Sequence, residues 1–250
     1  MPSSRSSSPD SDTDILGIST ALIPERTAKA AGTTHITFDG LLPSTNPLVL
    51  HEDLQEGCGG QLWPAGMVLS KYMLQYHKSD LAGKKIVEIG AGGGLVGLAI
   101  ALGCHLAEGQ KLYITDQVPM LALMQRNIAL NHLERNVEAL VYDWGSPAPI
   151  ELCGRQQSGP ACPDVVLAAD CVYFEPAFPL LLHTLGDLIG PDTRCYFCFK
   201  KRRKADMRFI RDMMKKFTVD MINYDGRDVD QRQAISLYQV TLKSSNKNKT

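Results

Sequence analysis

A strand-like run over residues 84–89 leads into Glu88-Ile89-Gly90-Ala91-Gly92-Gly93-Gly94 and then into a helix of small and apolar residues over 95–102. Glycines at such a junction allow a tight turn and let a ligand approach the backbone without meeting a Cβ. The free N–H groups of a helix start lie just beyond. By itself this loop serves any nucleotide, or merely turns the chain. Glu88 narrows the choice. A carboxylate at the entrance is unwelcome to a pyrophosphate, whereas a ligand ending in an amino-acid moiety accepts one. Asp116 closes the next strand, about 20 residues on, where it can accept from both hydroxyls of a ribose. Asp143-Trp144-Gly145 closes the third strand, and its indole can wall an adenine. Asp170-Cys171-Val172-Tyr173 follows the fourth. There a carboxylate can bind and orient an incoming ammonium, and a tyrosine can add an aromatic wall or a hydroxyl acceptor.

Only a sheet brings these residues together. Residues 84–89, 111–115, 137–142, 164–169 and 194–199 read as short strands, with helical patterns over 95–102, 118–131, 177–189 and 205–216. This alternation predicts right-handed crossovers and a mostly parallel sheet that binds ligands at the carboxyl ends of its strands. Two last strands, 218–223 and 234–242, are expected with no helix between them, giving seven strands with one antiparallel. Upstream, Pro64 suits the first turn of a helix continued by Met67, Leu69, Tyr72, Met73 and Tyr76. Residues 33–38 alternate and 48–50 are apolar, which predicts a small hairpin; 55–61 and 146–163 read as loops. The expected organisation is a polar leader over 1–14, an N-terminal extension over 15–62, one α/β domain over 63–242 and a polar tail over 243–250.

The bulk properties exclude several classes. Of the 250 residues 44% are hydrophobic and 21% charged, as in a soluble globular protein. A net charge of -1 argues against a general nucleic-acid-binding surface. No run approaches the roughly 20 apolar residues of a membrane span. The start has no apolar signal segment and the seven cysteines are an odd number, which predicts reduced thiols in a cytosolic or nuclear compartment, and a cytoplasmic protein is expected. Cys195 and Cys198 form a C-x-x-C, but on a strand residues three apart face opposite sides, so no metal site is expected. The six histidines show no metal spacing either. With no obvious apolar interface segment, a monomer is expected.

The set Glu88-x-Gly90-x-Gly92-x-Gly94, Asp116 and Asp143-Trp144 resembles the seven-strand S-adenosylmethionine methyltransferases. More narrowly, Leu62-Trp63-Pro64, the Gly-Leu-Val-Gly stretch ending at Gly97, Asp143-Trp144-Gly145 and Ala169-Asp170-Cys171-Val172-Tyr173 resemble the family-16 lysine methyltransferases over residues 63–242. The resemblance implies a Rossmann-like α/β sheet with helices on both faces and S-adenosylmethionine as cofactor. It implies cofactor contacts from Trp63, Gly90, Ala91, Gly92, Asp116, Trp144 and Ala169, beside Glu88, with Asp170 and Tyr173 at the chemistry. Gly93, where relatives often carry Thr or Ser, loses a hydroxyl but keeps the loop's backbone donors.

The run Lys200-Lys201-Arg202-Arg203-Lys204 looks most like the fungal branch acting on translation elongation factor 1-alpha, which makes that protein the expected partner. The run itself reads either as a solvated loop or as a docking patch for an acidic surface. Other readings stay open. Trp63 and Trp144 can be plain core residues, and Asp170 can cap the next helix. The chain can be a small-molecule N-methyltransferase lidded by its N-terminal region, or a non-catalytic scaffold.

Overall fold

The computed structural model describes residues 31–54, 58–156 and 159–243; the leader over 1–14 and the tail beyond Lys243 lie outside the described residues. In chain order, a hairpin of β1 (Gly32–Ile36) and β2 (Leu48–Glu52) precedes α1 (Pro64–Tyr76), β3 (Ile86–Ile89), α2 (Leu95–Gly103), β4 (Leu112–Asp116) and α3 (Val118–Leu130). Next come β5 (Val137–Val141), a short pair β6 (Gly154–Gln156) and β7 (Gly159–Ala161), then β8 (Val165–Ala169) and α4 (Phe178–Leu188). The chain continues through β9 (Arg194–Lys200), α5 (Lys204–Lys216), β10 (Phe217–Met221), α6 (Arg227–Arg232) and β11 (Ile235–Leu242).

Seven of these strands form one sheet in the order β10-β11-β9-β8-β3-β4-β5. The five from β9 to β5 are parallel, and β11 is antiparallel to both its neighbours. β3 sits at the centre of the five parallel strands and is buried along its whole length, as expected of a strand covered on both faces. One face packs Leu69 and Met73 of α1, Leu98 and Ile100 of α2, and Met124 and Ile128 of α3. The other packs Leu181 and Leu185 of α4 and Phe209 and Met213 of α5. Strand alternation sends Cys195, Phe197 and Phe199 of β9 to the second core and Tyr196 and Cys198 to the first, so the two cysteines lie on opposite sides of the sheet.

The N-terminal hairpin belongs to the first core, through Leu48 and Leu50 of β2. Two asparagines four residues apart, Asn127 within α3 and Asn131 just past its end, fasten the hairpin's edge. The Asn131 side-chain amide accepts from the Val49 N–H at 2.9 Å and donates to the Val49 carbonyl at 2.7 Å. Asn127 does the same for His51, at 2.8 and 3.2 Å, and also donates to the Gly93 carbonyl at 2.9 Å. The glycine loop is thereby tied to β2 through one buried side chain.

Three local expectations change. A helix, α6, does stand between the last two strands, against the expectation of none. It buries no residue, so it has no apolar period to betray it; Asp228 and Asp230 in its first turn and Arg232 in its last suit the helix dipole. The loop over 146–163 contains the pair β6–β7, three residues on each side and without apolar alternation. β1 ends at Ile36 rather than at residue 38, because Phe38 and Asp39 adopt left-handed φ values of 51° and 58°.

Removing the Asn127 amide leaves the His51 N–H and the Gly93 carbonyl short of a partner. Asn127→Ala should cost roughly 1–3 kcal/mol in urea unfolding. An unchanged midpoint would show that water replaces the amide at no penalty.

Candidate active site

The turn from β3 to α2 is held from every side. Gly90 and Gly92 have φ of 60° and 55°. A Cβ on Gly90 would stand 2.8 Å from the Trp144 ring and 3.0 Å from the Cys171 sulfur; on Gly92 it would stand 2.3 Å from the Gly59 carbonyl oxygen. Only glycine fits either place. Asp116, at the end of β4, accepts from the Gly92 N–H on one carboxylate oxygen and from the Gln117 N–H on the other, both at 2.7 Å. Burial pushes the Asp116 carboxyl up, and those two N–H groups pull it part of the way back.

Glu88 lies beneath the loop. Alternation along β3 puts it on the α2 side, where its carboxyl accepts from the Gly97 N–H at 2.7 Å with 2% of the residue exposed. Burial pushes its pKa up to about 8, against the opposing N–H groups of Gly97 and Val96. Cys171 is also buried under the loop, and burial, reinforced by Asp116, Asp170 and Glu88, raises its thiol well above the usual range, which opposes thiolate formation.

A cleft of about 510 Å³ opens over the carboxyl ends of the strands. All ten residues singled out from the sequence line it: Trp63, Glu88, Gly90, Ala91, Gly92, Asp116, Trp144, Ala169, Asp170 and Tyr173. The sheet order explains their sequence along the cleft. Trp144 and Asp116 stand at the β5 and β4 ends, the glycine loop at β3, and Ala169, Asp170 and Tyr173 beyond β8. Trp63 opens α1 as its N-cap residue, directly before Pro64, and is half-buried rather than a core residue.

Arg202, expected only as one member of the basic run, lines the cleft as well. Its guanidinium donates to both oxygens of Asp170, at 2.8 and 2.9 Å, and lies over the Trp63 ring at 5.1 Å from the centroid. Asp170 also accepts from the Lys200 N–H at 3.1 Å and has a left-handed φ of 56°. It caps no helix. The basic run therefore divides. Arg202 and Arg203 turn inward, Arg203 donating to the Tyr173 carbonyl and to Asp206, while Lys201 and Lys204 stay exposed. Asp206, fully buried in the first turn of α5, sets this turn by accepting from the N–H groups of Arg202 and Arg203 at 2.7 and 2.8 Å. The detectable signal was an aspartate three residues after Arg203, at the spacing of a capping box.

A cationic nucleoside that bears an amino acid fits these walls. Among the described residues that line the cleft are the carboxyl groups of Glu52, Glu88, Asp116 and Asp170, and the arginine there, Arg202, is engaged by Asp170, an arrangement that disfavours a pyrophosphate. Each Asp116 oxygen carries one N–H and keeps acceptor capacity for a hydroxyl. A sequence model described as lysine methyltransferase matches residues 43–216, more than half of the chain.

The chain belongs to the lysine methyltransferase family.

It is an S-adenosylmethionine-dependent methyltransferase. Among its relatives, the protein-lysine N-methyltransferase EFM6 of Saccharomyces cerevisiae is 37% identical over 79% of this chain and 86% of its own length. The protein N-lysine methyltransferase METTL21A of Danio rerio is 31% identical over 86% and 96%. The EEF1A lysine methyltransferase 3 of Xenopus tropicalis is 30% identical over 76% and 78%. Among solved structures, the mitomycin 7-O-methyltransferase MmcR has a TM-score of 0.50 and is 14% identical, covering 72% of this chain and 53% of that one. That likeness shows the fold, and this chain spans about half of that larger protein.

Glu88 makes folding of this methyltransferase pH-dependent. With a folded pKa of about 8 against 4.5 ordinarily, the folded state keeps a proton that the unfolded chain releases. The contribution is fully present below about 4.5 and is lost as pH rises through about 8. Glu88→Gln keeps an acceptor for Gly97 and cannot titrate. Its unfolding free energy, measured by urea at pH 5 and at pH 9, should fall less than the wild type's, by a few kcal/mol. Parallel losses would mean that the carboxyl is ionised throughout.

Proposed function

We propose that this lysine methyltransferase modifies a lysine of translation elongation factor 1-alpha, as a cytoplasmic monomer. The observation that carries a lysine acceptor is the continuity of the cleft. It runs from Asp116, past the glycine loop, to an end beyond β8 where Trp63, Tyr173 and Phe174 form aromatic walls. A long, unbranched side chain with a nitrogen at its tip matches such an end. The relatives named for EEF1A support the choice of target. So do the exposed cations Lys204, Arg208 and Arg211 on α5, the helix that follows Arg202 in the chain, which would face an acidic protein surface.

S-adenosylmethionine carries a methyl group on a positively charged sulfur and supplies it to a nucleophile when bound. The chain's own residues would bind and orient. The backbone around Gly90, Ala91 and Gly92, underpinned by Glu88, would take the amino-acid moiety; Asp116 the ribose hydroxyls; and Trp144 one side of the adenine. Ala169, small and at the end of β8, would leave room at the reacting sulfur, with Trp63 beside it. Asp170 and Tyr173 would shape the acceptor end. A lysine, whose reference pKa is about 10.4, must be neutral to attack. Orientation and exclusion of water would then supply most of the rate, without a strong general base.

Asp116→Ala should weaken S-adenosylhomocysteine binding by at least about tenfold in calorimetry. Asp170→Ala should largely spare that binding and abolish transfer; unchanged turnover would sink its assignment to the acceptor end.

Incubating the protein and labelled cofactor with a lysate lacking this activity should label one band, mapped by mass spectrometry to a lysine of elongation factor 1-alpha. A different labelled protein would overturn the target, and a labelled small molecule would replace the protein substrate with an amine metabolite.

A further inference from the structure

Asp170 and the Trp63 ring are the two features of the acceptor end that a protonated amine would seek, one by charge and one by its π face. Both are already engaged. The Arg202 guanidinium grips both Asp170 oxygens, at 2.8 and 2.9 Å, and covers the Trp63 ring at 5.1 Å. It is no loose surface cation: it is 21% exposed, its own N–H is held by Asp206, and its guanidinium also donates to the Lys200 carbonyl at 3.2 Å.

We propose that Arg202 is a resident cation of the acceptor end: by occupying the Asp170 carboxylate and the Trp63 ring face it denies both to an ammonium, so that the amine which enters productively is the neutral one. Arg202 is a positioning and specificity residue, not a catalytic one. The acceptor end of the proposed lysine site is thus built to exclude the protonated form. Transfer forms a bond between the amine's lone pair and the methyl carbon as the bond to sulfur breaks with its electron pair left on sulfur. The nitrogen then carries the positive charge, having given its earlier proton to water before attack. The same guanidinium repels this cationic product and favours its release.

The other charges around the site do not reproduce this effect. Arg203 pairs with Asp206, and Arg208 pairs with Glu175. Glu52 of β2 accepts from the Thr34 hydroxyl and the Leu62 N–H. Glu88 and Asp116 lie at the β3 and β4 ends, each taking backbone N–H groups. Lys200 closes β9, and Lys201 stays exposed.

The inference rests on a lysine acceptor, so its first test needs no protein substrate. Titrating n-butylammonium at pH 7, followed by tryptophan fluorescence, should show binding at least about tenfold tighter to Arg202→Gln than to the wild type, because the variant frees an anion and a ring face. Arg202→Gln combined with Asp170→Asn removes the freed anion and should return affinity to near the wild-type level, which general damage would not do. Arg202→Lys keeps a resident charge and should exclude the probe as the wild type does. Equal affinity in the wild type and Arg202→Gln, or tight binding that persists in the double variant, overturns the proposal. S-adenosylhomocysteine calorimetry checks that each variant keeps its fold.

With the unmethylated target protein as substrate, the acid limb of the rate profile in Arg202→Gln should move up by about one to two pH units, with kcat at pH 7 reduced and KM not raised. A uniform loss of rate at every pH would make Arg202 merely structural. If the wild type labels no protein but the butylammonium pattern holds, the lysine substrate fails and the resident cation stands.

Discussion

The hydrogen bond from the Gly97 N–H to the Glu88 carboxyl joins the central strand to the helix that follows it, across the loop that lies between them. With both ends of the turn fixed in this way, the backbone of residues 90–94 stands clear as a surface. Four other elements then press on it. Trp144 from the β5 end covers Gly90, the Gly59 carbonyl approaches Gly92, Asp116 from β4 takes the Gly92 N–H, and Asn127 from α3 takes the Gly93 carbonyl. A side chain at Gly90 or Gly92 would displace at least one of them. The glycine loop is therefore the junction of the whole domain, and the N-terminal hairpin reaches it through the same asparagine that fastens β2.

Charge organises the cleft along its length. At the β3 and β4 ends, buried carboxyls accept backbone N–H groups and are raised by burial, so a cationic ligand would relieve them. Beyond β8 the carboxylate of Asp170 has a guanidinium as its permanent partner. One cleft thus treats positive charge in opposite ways at its two ends. It welcomes a cation where a cofactor would lie and resists one where an amine must arrive neutral.

Much of this was legible in the chain. The strands announced themselves as short apolar runs because a parallel sheet covered on both faces needs no alternation, and Ile86-Val87-Glu88-Ile89 is such a run. Strand ends carrying Glu88, Asp116, Trp144 and Asp170 had to meet, because parallel strands present all their carboxyl ends on one edge. The misses share a cause as well. α6 buries no residue and the pair β6–β7 is short and without apolar alternation, so neither leaves a hydrophobic period, and the bend after β1 depends on two residues with left-handed φ that the alternating pattern runs straight through.

Residue types and their order along the strands determined the sheet, the edge on which the cleft lies and ten of the residues that line it, because these follow from periodicity and chain direction. Pairings between distant segments were decided only in three dimensions. Nothing in the basic run distinguishes Arg202 from Lys201. The buried Asp206 sets the turn, β9 delivers it beside β8, and only there does one cation of five meet Asp170 and Trp63. The partner of a charge depends on which strands are neighbours, and that information is spread over the whole fold rather than written at the residue.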